Sequence, residues 1–164
     1  MEENQRHGPI ISAGVLMGAG LGGFVDGIVF HQILQWHHML SAFIPPYNLV
    51  NLKVNMFWDG VFHAGDWVLT VIGLGFLWRA GKRKDVPWSG RTFLGSLMAG
   101  WGLFNLVEGL IDHEWFGIHH VREYAENHMT WDMAFLAFGV VMLLGGLGLI
   151  REGRKDTLTR GESV

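Results

Sequence analysis

Residues 26–38 read DGIVFHQILQWHH, and residues 108–120 read EGLIDHEWFGIHH. Both fit one pattern: an acid, a glycine, three residues, a histidine, five residues, then a histidine pair. Each copy closes a long apolar run. Polar groups at the end of an apolar helix are costly to bury unless they are paired or bound. The doubling therefore predicts that two such ends meet.

Working outward from the first copy, Gly14, Gly18, Gly22 and Asp26 recur every fourth residue. Small residues at that spacing let helix backbones approach closely, so Asp26 continues a packing face. The second copy is preceded by Ser96, Gly100, Phe104 and Glu108 on the same spacing, with Phe104 in place of one glycine. The runs predict membrane spans over about 10–36 and 92–116, each long enough for a ~30 Å hydrocarbon core. Two further spans are expected over about 54–79 and 128–150. Their polar residues lie in the first part only: Asn55, Asp59, His63 and Asp66 in one, His128 and Asp132 in the other. Pro9 suits a first helical turn, and Pro45-Pro46 breaks the chain inside a loop expected over 32–53. The first span is too long for a cleaved signal peptide and reads as retained.

The composition agrees. Apolar residues make up 49% of 164, with 24 glycines and 8 tryptophans, as expected of membrane helices and their interfacial belts. The net charge of −3 matters less than where the basic residues lie. Lys82, Arg83, Lys84 and Arg91 occupy the middle loop, and Arg151, Arg154, Lys155 and Arg160 follow the last span; the other loops hold only Lys53 and Arg122. The positive-inside rule then places both termini, including the polar tail Met1–Gly8, and the middle loop in the cytoplasm, with the histidines facing outward. Cysteine is absent, which excludes disulfides, thiolate metal sites and Cys-ligated clusters. No nucleophilic serine motif, phosphate loop or nucleic-acid-binding stripe is present.

Spans one and three align at an offset of 82; spans two and four align through Trp58-Asp59 and Trp131-Asp132. The expected fold is all-α: a four-helix transmembrane bundle of two parallel two-helix repeats, about 9–80 and 90–151, around a pseudo-two-fold axis along the membrane normal. At ~1.5 Å per residue, Asp26, His63 and Glu108 come out at roughly one depth. His31, Asp59, His113 and Asp132 come out slightly further out, and His128 with Asn55 a turn beyond. One spacing resists an α-helix. Asp26 and His31 are five apart, as are Glu108 and His113, which is about 140° around the axis. Either the paired side chains reach different neighbours, or Gly27 and Gly109 carry π-bulges that align i with i+5.

Imidazole with carboxylate is the donor set of zinc, iron, manganese and copper(II). Converging helix-borne acids and histidines build di-metal sites in bundles. The candidate ligands are His31, His63, His113 and His128, with Asp26, Asp59, Glu108 and Asp132 as ligands or as partners orienting them. His37, His38, His119 and His120 lie beyond the spans and read equally as ligands or as interfacial residues at the mouth. Asp26 and Glu108 alternatively fix helix register, and Asp59 and Asp132 alternatively cap helix N-termini. Met39, Met56, Met129 and Met133 offer soft copper(I) ligands but read better as packing. A haem b between His31 and His113 is the next candidate. A proton path is disfavoured, because the inner half of the spans is apolar. One or two ions of copper, zinc or iron are expected, serving a metalloenzyme of redox or hydrolytic type or a metal-handling protein. A homo-oligomer stays open.

FVDGIVFHQILQWHH, NMFWDGVFHAGDW, WGLFNLVEGLIDH and GIHHVRE resemble the bacterial family of predicted membrane proteins called domain of unknown function 2243, over about Gly14 to Gly148. The resemblance implies a four-span protein of the bacterial inner membrane. It also implies an association with copper-assembly factors of respiratory oxidases, which tilts the metal toward copper.

Overall fold

The computed structural model describes residues 6–161, with side chains through Lys155; the first five residues of the polar tail, residues 162–164 and the Arg160 side chain lie outside the described residues. Four helices follow one another: α1 (Gly8–Asp26), α2 (Leu49–Gly81), α3 (Gly90–Glu108) and α4 (His128–Gly161). Two π-helical segments, Gly27–Ile33 and Gly109–Trp115, extend α1 and α3 without a break. The resulting helical stretches, Gly8–Ile33, Leu49–Gly81, Gly90–Trp115 and His128–Lys155, are each long and apolar enough to cross a bilayer.

Local chemistry sets the ends. Pro9 sits in the first turn of α1, where its missing N–H costs nothing. Ser89 caps α3 by accepting from the Thr92 N–H. α2 starts five residues before the expected 54, because Asn48, in extended backbone, accepts the Asn51 N–H at 2.9 Å. Asn51 and Asn55 then donate to the carbonyls of Pro45 and Ile44, at 2.9 and 2.7 Å, and fasten the proline loop to the helix.

The interior is polar and the exterior apolar. Among the described residues, the largest fully buried side chains include His31, His37, His113, His119, Asn55, Asp59 and Asp132, and Ile10 is the one large hydrocarbon among them. Val61, Val68, Val71, Leu74 and Phe76 of α2 meanwhile stand exposed. That inversion suits a chain whose solvent is lipid, where hydrocarbon gains nothing by leaving the surface.

α1 and α3 pack directly on each other; α2 packs on α1 and α4 on α3. The central contact is backbone on backbone. A Cβ on Gly18 would strike the Leu97 carbonyl, and a Cβ on Gly100 would strike the Val15 carbonyl. The two contacts are the same one, 82 residues apart in both partners. At the opposite end from the eight clustered histidines, next to His7, the Arg6 N–H donates to Asp85 O at 2.9 Å, and Ile10, Ala80 and Val86 form a small apolar cluster. The N-terminus and the middle loop therefore share one end of the molecule.

Candidate metal centre

The π segments solve the five-residue spacing. Widening the helix at Gly27 swings His31 over Asp26, with Nε2 3.1 Å from Oδ2. Widening at Gly109 brings His113 Nε2 to 3.0 Å from Glu108 Oε1. Two residues beyond each segment the backbone takes a positive φ, at Gln35 (49°) and Gly117 (55°). This left-handed step folds the chain back over the helix end. His37 consequently returns to Asp26, with Nε2 3.8 Å from Oδ2, and His119 returns to Glu108, with Nε2 3.1 Å from Oε1.

Two sets of one carboxylate and two imidazoles result, Asp26/His31/His37 and Glu108/His113/His119, and they touch. The rings of His37 and His119 stack face to face, with centroids 4.6 Å apart; His31 and His113 stand edge-on to them at 4.4 and 4.9 Å respectively. All four imidazoles are at least 98% buried. His31, His37 and His119 offer ligand atoms within 4.8 Å of one another, and so do Glu108, His113 and His119.

The opposite edge of three of the four rings is held. Asp59 accepts from His31 Nδ1 at 2.9 Å, and Asp132 Oδ1 lies 3.7 Å from His113 Nδ1. The Val121 carbonyl accepts from His37 Nδ1 at 2.8 Å, and the Met39 carbonyl from His119 Nδ1 at 3.2 Å. The same two loop residues donate their N–H groups to Asp59 and Asp132, at 2.8 and 2.9 Å. Asp59 also accepts His38 Nδ1 at 2.7 Å, and Asp132 accepts His120 Nδ1 at 2.8 Å. A carbonyl only accepts, so His37 carries its proton on Nδ1 and presents a bare Nε2, whereas His119 lies between two acceptors, the Met39 carbonyl and Glu108 Oε1 at 3.1 Å. Burial, the largest influence, pushes the His37 imidazole down to about 4, against the opposing pull of Asp26, so the ring is neutral.

The bare nitrogens face carboxylate oxygens. Asp26 Oδ1 and Oδ2, Glu108 Oε2 and Nε2 of His31, His37 and His113 are all sealed from solvent without a hydrogen-bond partner. The short His31–Asp26 and His113–Glu108 distances therefore lack hydrogen-bond geometry. At His37, whose tautomer Val121 fixes, this sets acceptor toward acceptor in a dry interior, which is unfavourable unless a cation lies between them. Separations of 3.0–3.8 Å are also the edges of a coordination sphere with bonds of ~2.0–2.2 Å.

The remaining expected residues are placed elsewhere. His63, half-buried one turn inward, stacks on Phe24 at 5.8 Å, fills the space above Gly27 and comes no closer than 3.8 Å to its nearest carboxylate, Asp66. His128 lies at the rim, 46% exposed, and with His120 and Asp132 forms a third group of candidate ligands. Asp59 lies ten residues into α2 and binds loop groups rather than capping its own helix. Met56, Met129 and Met133 point outward, about half exposed. His37 and His119 occupy the space between His31 and His113, where a haem plane would have to lie. The expectation that His37 and His119 are as readily mouth residues as ligands missed their central position. The signal available was their exact repetition at 82.

The chain belongs to the family called domain of unknown function 2243, described as a predicted membrane protein, which matches residues 13–153. No curated protein and no solved structure is significantly similar to it.

Proposed function

We propose that this family member is a membrane metalloprotein holding two first-row transition-metal ions, one on Asp26/His31/His37 and one on Glu108/His113/His119. The observation that carries this is the fully buried His37 ring. Val121 fixes its proton on Nδ1, and its lone pair faces the unpartnered Asp26 carboxylate. Two histidines and one carboxylate with positions left open are the donor set of non-haem iron(II), and iron fits best. Thioether support for copper(I) is weakened by the outward-facing methionines. Asp59 serves as the orienting partner of His31, with His38 bracing it, while Asp132, braced by His120, holds the Val121 N–H. Bound ions would supply Lewis-acid or one-electron chemistry; the chain supplies a dry cage and fixed imidazole tautomers.

The matched contacts at offsets of 82 and 73 support two two-helix repeats, 9–80 and 90–151, about an axis through the His37–His119 stack. The basic middle loop and C-terminal segment support cytoplasmic termini in a bacterial inner membrane, with the centre in the outer half. A metal-handling role beside respiratory-oxidase assembly proteins is the second reading, favoured by the rim group His120/His128/Asp132, whose Asp132 lies 3.7 Å from His113 of the inner set.

Metal analysis of detergent-purified protein tests the site. Wild type is expected to carry two ions per chain, and folded His37→Ala/His119→Ala to lose both. Folded wild type without stoichiometric metal after reconstitution, or a double variant that keeps it, overturns the reading. A Soret band in the optical spectrum would replace it with haem.

A further inference from the structure

The two repeats differ at their outer rim. In the first, Asp59 is fully engaged, accepting from the side chains of His31, His38 and Gln32 and from the Met39 N–H. Asn55, one turn before it, fastens the loop: it accepts the Leu40 N–H at 3.0 Å and donates to Ile44 O at 2.7 Å. In the second repeat, Asp132 stands for Asp59, Glu114 for Gln32 and His128 for Asn55, at the same offsets of 82 and 73. Two neutral amides around one carboxylate have thus become an acid and an imidazole. Both are metal-ligand types, and neither keeps the hydrogen bonds of the amide it replaces.

Asp132 is engaged less fully than Asp59. Its Oδ1 accepts the Val121 N–H at 2.9 Å and its Oδ2 accepts His120 Nδ1 at 2.8 Å. His128 Nδ1 faces the same Oδ2 from 3.7 Å, beyond hydrogen-bond reach. The His120 and His128 rings lie nearly parallel, 24° apart in plane and 3.9 Å between centroids. Two imidazoles therefore present the same nitrogen to one oxygen, and only one of them bonds to it. The backbone holds them there. His128 and Asp132 are one turn apart on the face of α4, and the His120 N–H donates to Glu123 Oε2 at 2.9 Å.

The three side chains offer ligand atoms within 4.8 Å of one another. Separations of 2.8 and 3.7 Å from Asp132 Oδ2 suit one ion held by bonds of ~2.0–2.2 Å. Unlike the inner sets, this group is wet: the His120 and His128 side chains are 23% and 46% exposed. Water can complete the sphere and carry an ion in or out. Glu114, also exposed, adds negative charge where the first repeat has a neutral donor.

We infer that His120, His128 and Asp132 form a third site, which takes an exchangeable divalent ion of borderline softness, such as zinc(II), from water. It exists in one repeat only, because Asn55 holds its loop instead. The inference goes beyond the two buried sets and does not require them to be filled.

The test is equilibrium dialysis of zinc(II) against detergent-purified, desalted protein. Wild type is expected to bind one zinc ion per chain that exchanges with free metal, and His37→Ala/His119→Ala, which removes the buried sets, to bind it as well. His128→Asn, which restores the residue of the first repeat, and His120→Gln should each weaken this binding at least about tenfold, since even an orienting partner is worth that much. His38→Gln, the counterpart of His120→Gln in the other repeat, should leave it unchanged. No exchangeable zinc on wild type, or wild-type binding by both rim variants, overturns the inference; so does an equal loss in His38→Gln. His128 is exposed and makes no hydrogen bond to Asp132, so His128→Asn decides alone if His120→Gln does not fold. Exchangeable zinc on a protein whose buried sets stay empty upholds the rim site and sinks the buried one. Two tightly held ions with no exchangeable third do the reverse.

Discussion

Asp59→Asn should weaken one metal set and spare the other. The Asp59 carboxylate accepts from His31 Nδ1 at 2.9 Å, His38 Nδ1 at 2.7 Å, the Met39 N–H at 2.8 Å and Gln32 Nε2 at 3.3 Å. An amide at this place keeps one oxygen and loses the charge. If that oxygen stays with His31 and Met39, as Oδ1 does, His38 and Gln32 lose their acceptor. The His31 bond also falls from charge-assisted to neutral strength. Losing such an orienting carboxylate costs 10–100-fold in metal affinity, or about 1.4–2.7 kcal/mol. Asp132→Asn offers the internal comparison. His113 Nδ1 lies 3.7 Å from Asp132 Oδ1, beyond hydrogen-bond reach, and an amide oxygen can keep the Val121 N–H. Its effect on metal affinity should stay within about threefold. Competition with a chelator of calibrated affinity, read by metal mass spectrometry, measures both. The expected result for Asp59→Asn is a biphasic release, with one ion unchanged and the other released at 10–100-fold lower chelator. Equal losses in the two variants, or none in Asp59→Asn, would refute the assignment of Asp59 as the partner that orients His31.

Three other outcomes follow from the same geometry. His63→Ala and His128→Ala should each retain two tightly bound ions, because neither ring meets the inner sets; loss of an ion by metal analysis would restore them as ligands. Gly18→Val should cost at least ~2 kcal/mol in a reversible SDS-unfolding titration, because its side chain would strike the Leu97 carbonyl. Gly60→Val, where nothing lies within 4 Å of a Cβ, should be within about 0.5 kcal/mol of wild type. The metal-free protein should lose stability on acidification. His37 is held neutral down to about 4 against an ordinary 6.5, so the unfolded chain takes up its proton first. The contribution is full above about 6.5 and is lost as pH falls from there toward 4, read as a falling SDS-unfolding midpoint.

The spans and their polar residues were legible because lipid enforces long apolar runs, and any acid within one stands out. The i, i+5 spacing of Asp26–His31 and Glu108–His113 conflicted with α-helical geometry, and the π segments at Gly27 and Gly109 resolve that conflict. His37 and His119 were harder to place. Their position depends on a left-handed step at Gln35 and Gly117, and Gln35 carries no compositional signal for positive φ. His63 was overweighted because it shares a helical face with Asn55 and Asp59. The repeat itself argued against it, since position 136 is leucine. His128 similarly has Asn55 as its counterpart, so neither histidine belongs to a doubled set.

Anomalous scattering from crystals of the metal-loaded protein tests the central claim most directly. The account predicts two peaks in the difference map. One lies among Asp26, His31 and His37, the other among Glu108, His113 and His119, each ~2.0–2.2 Å from Nε2 atoms. A map with peaks only at His120/His128/Asp132, or with none within bonding distance of His37 and His119, would contradict it.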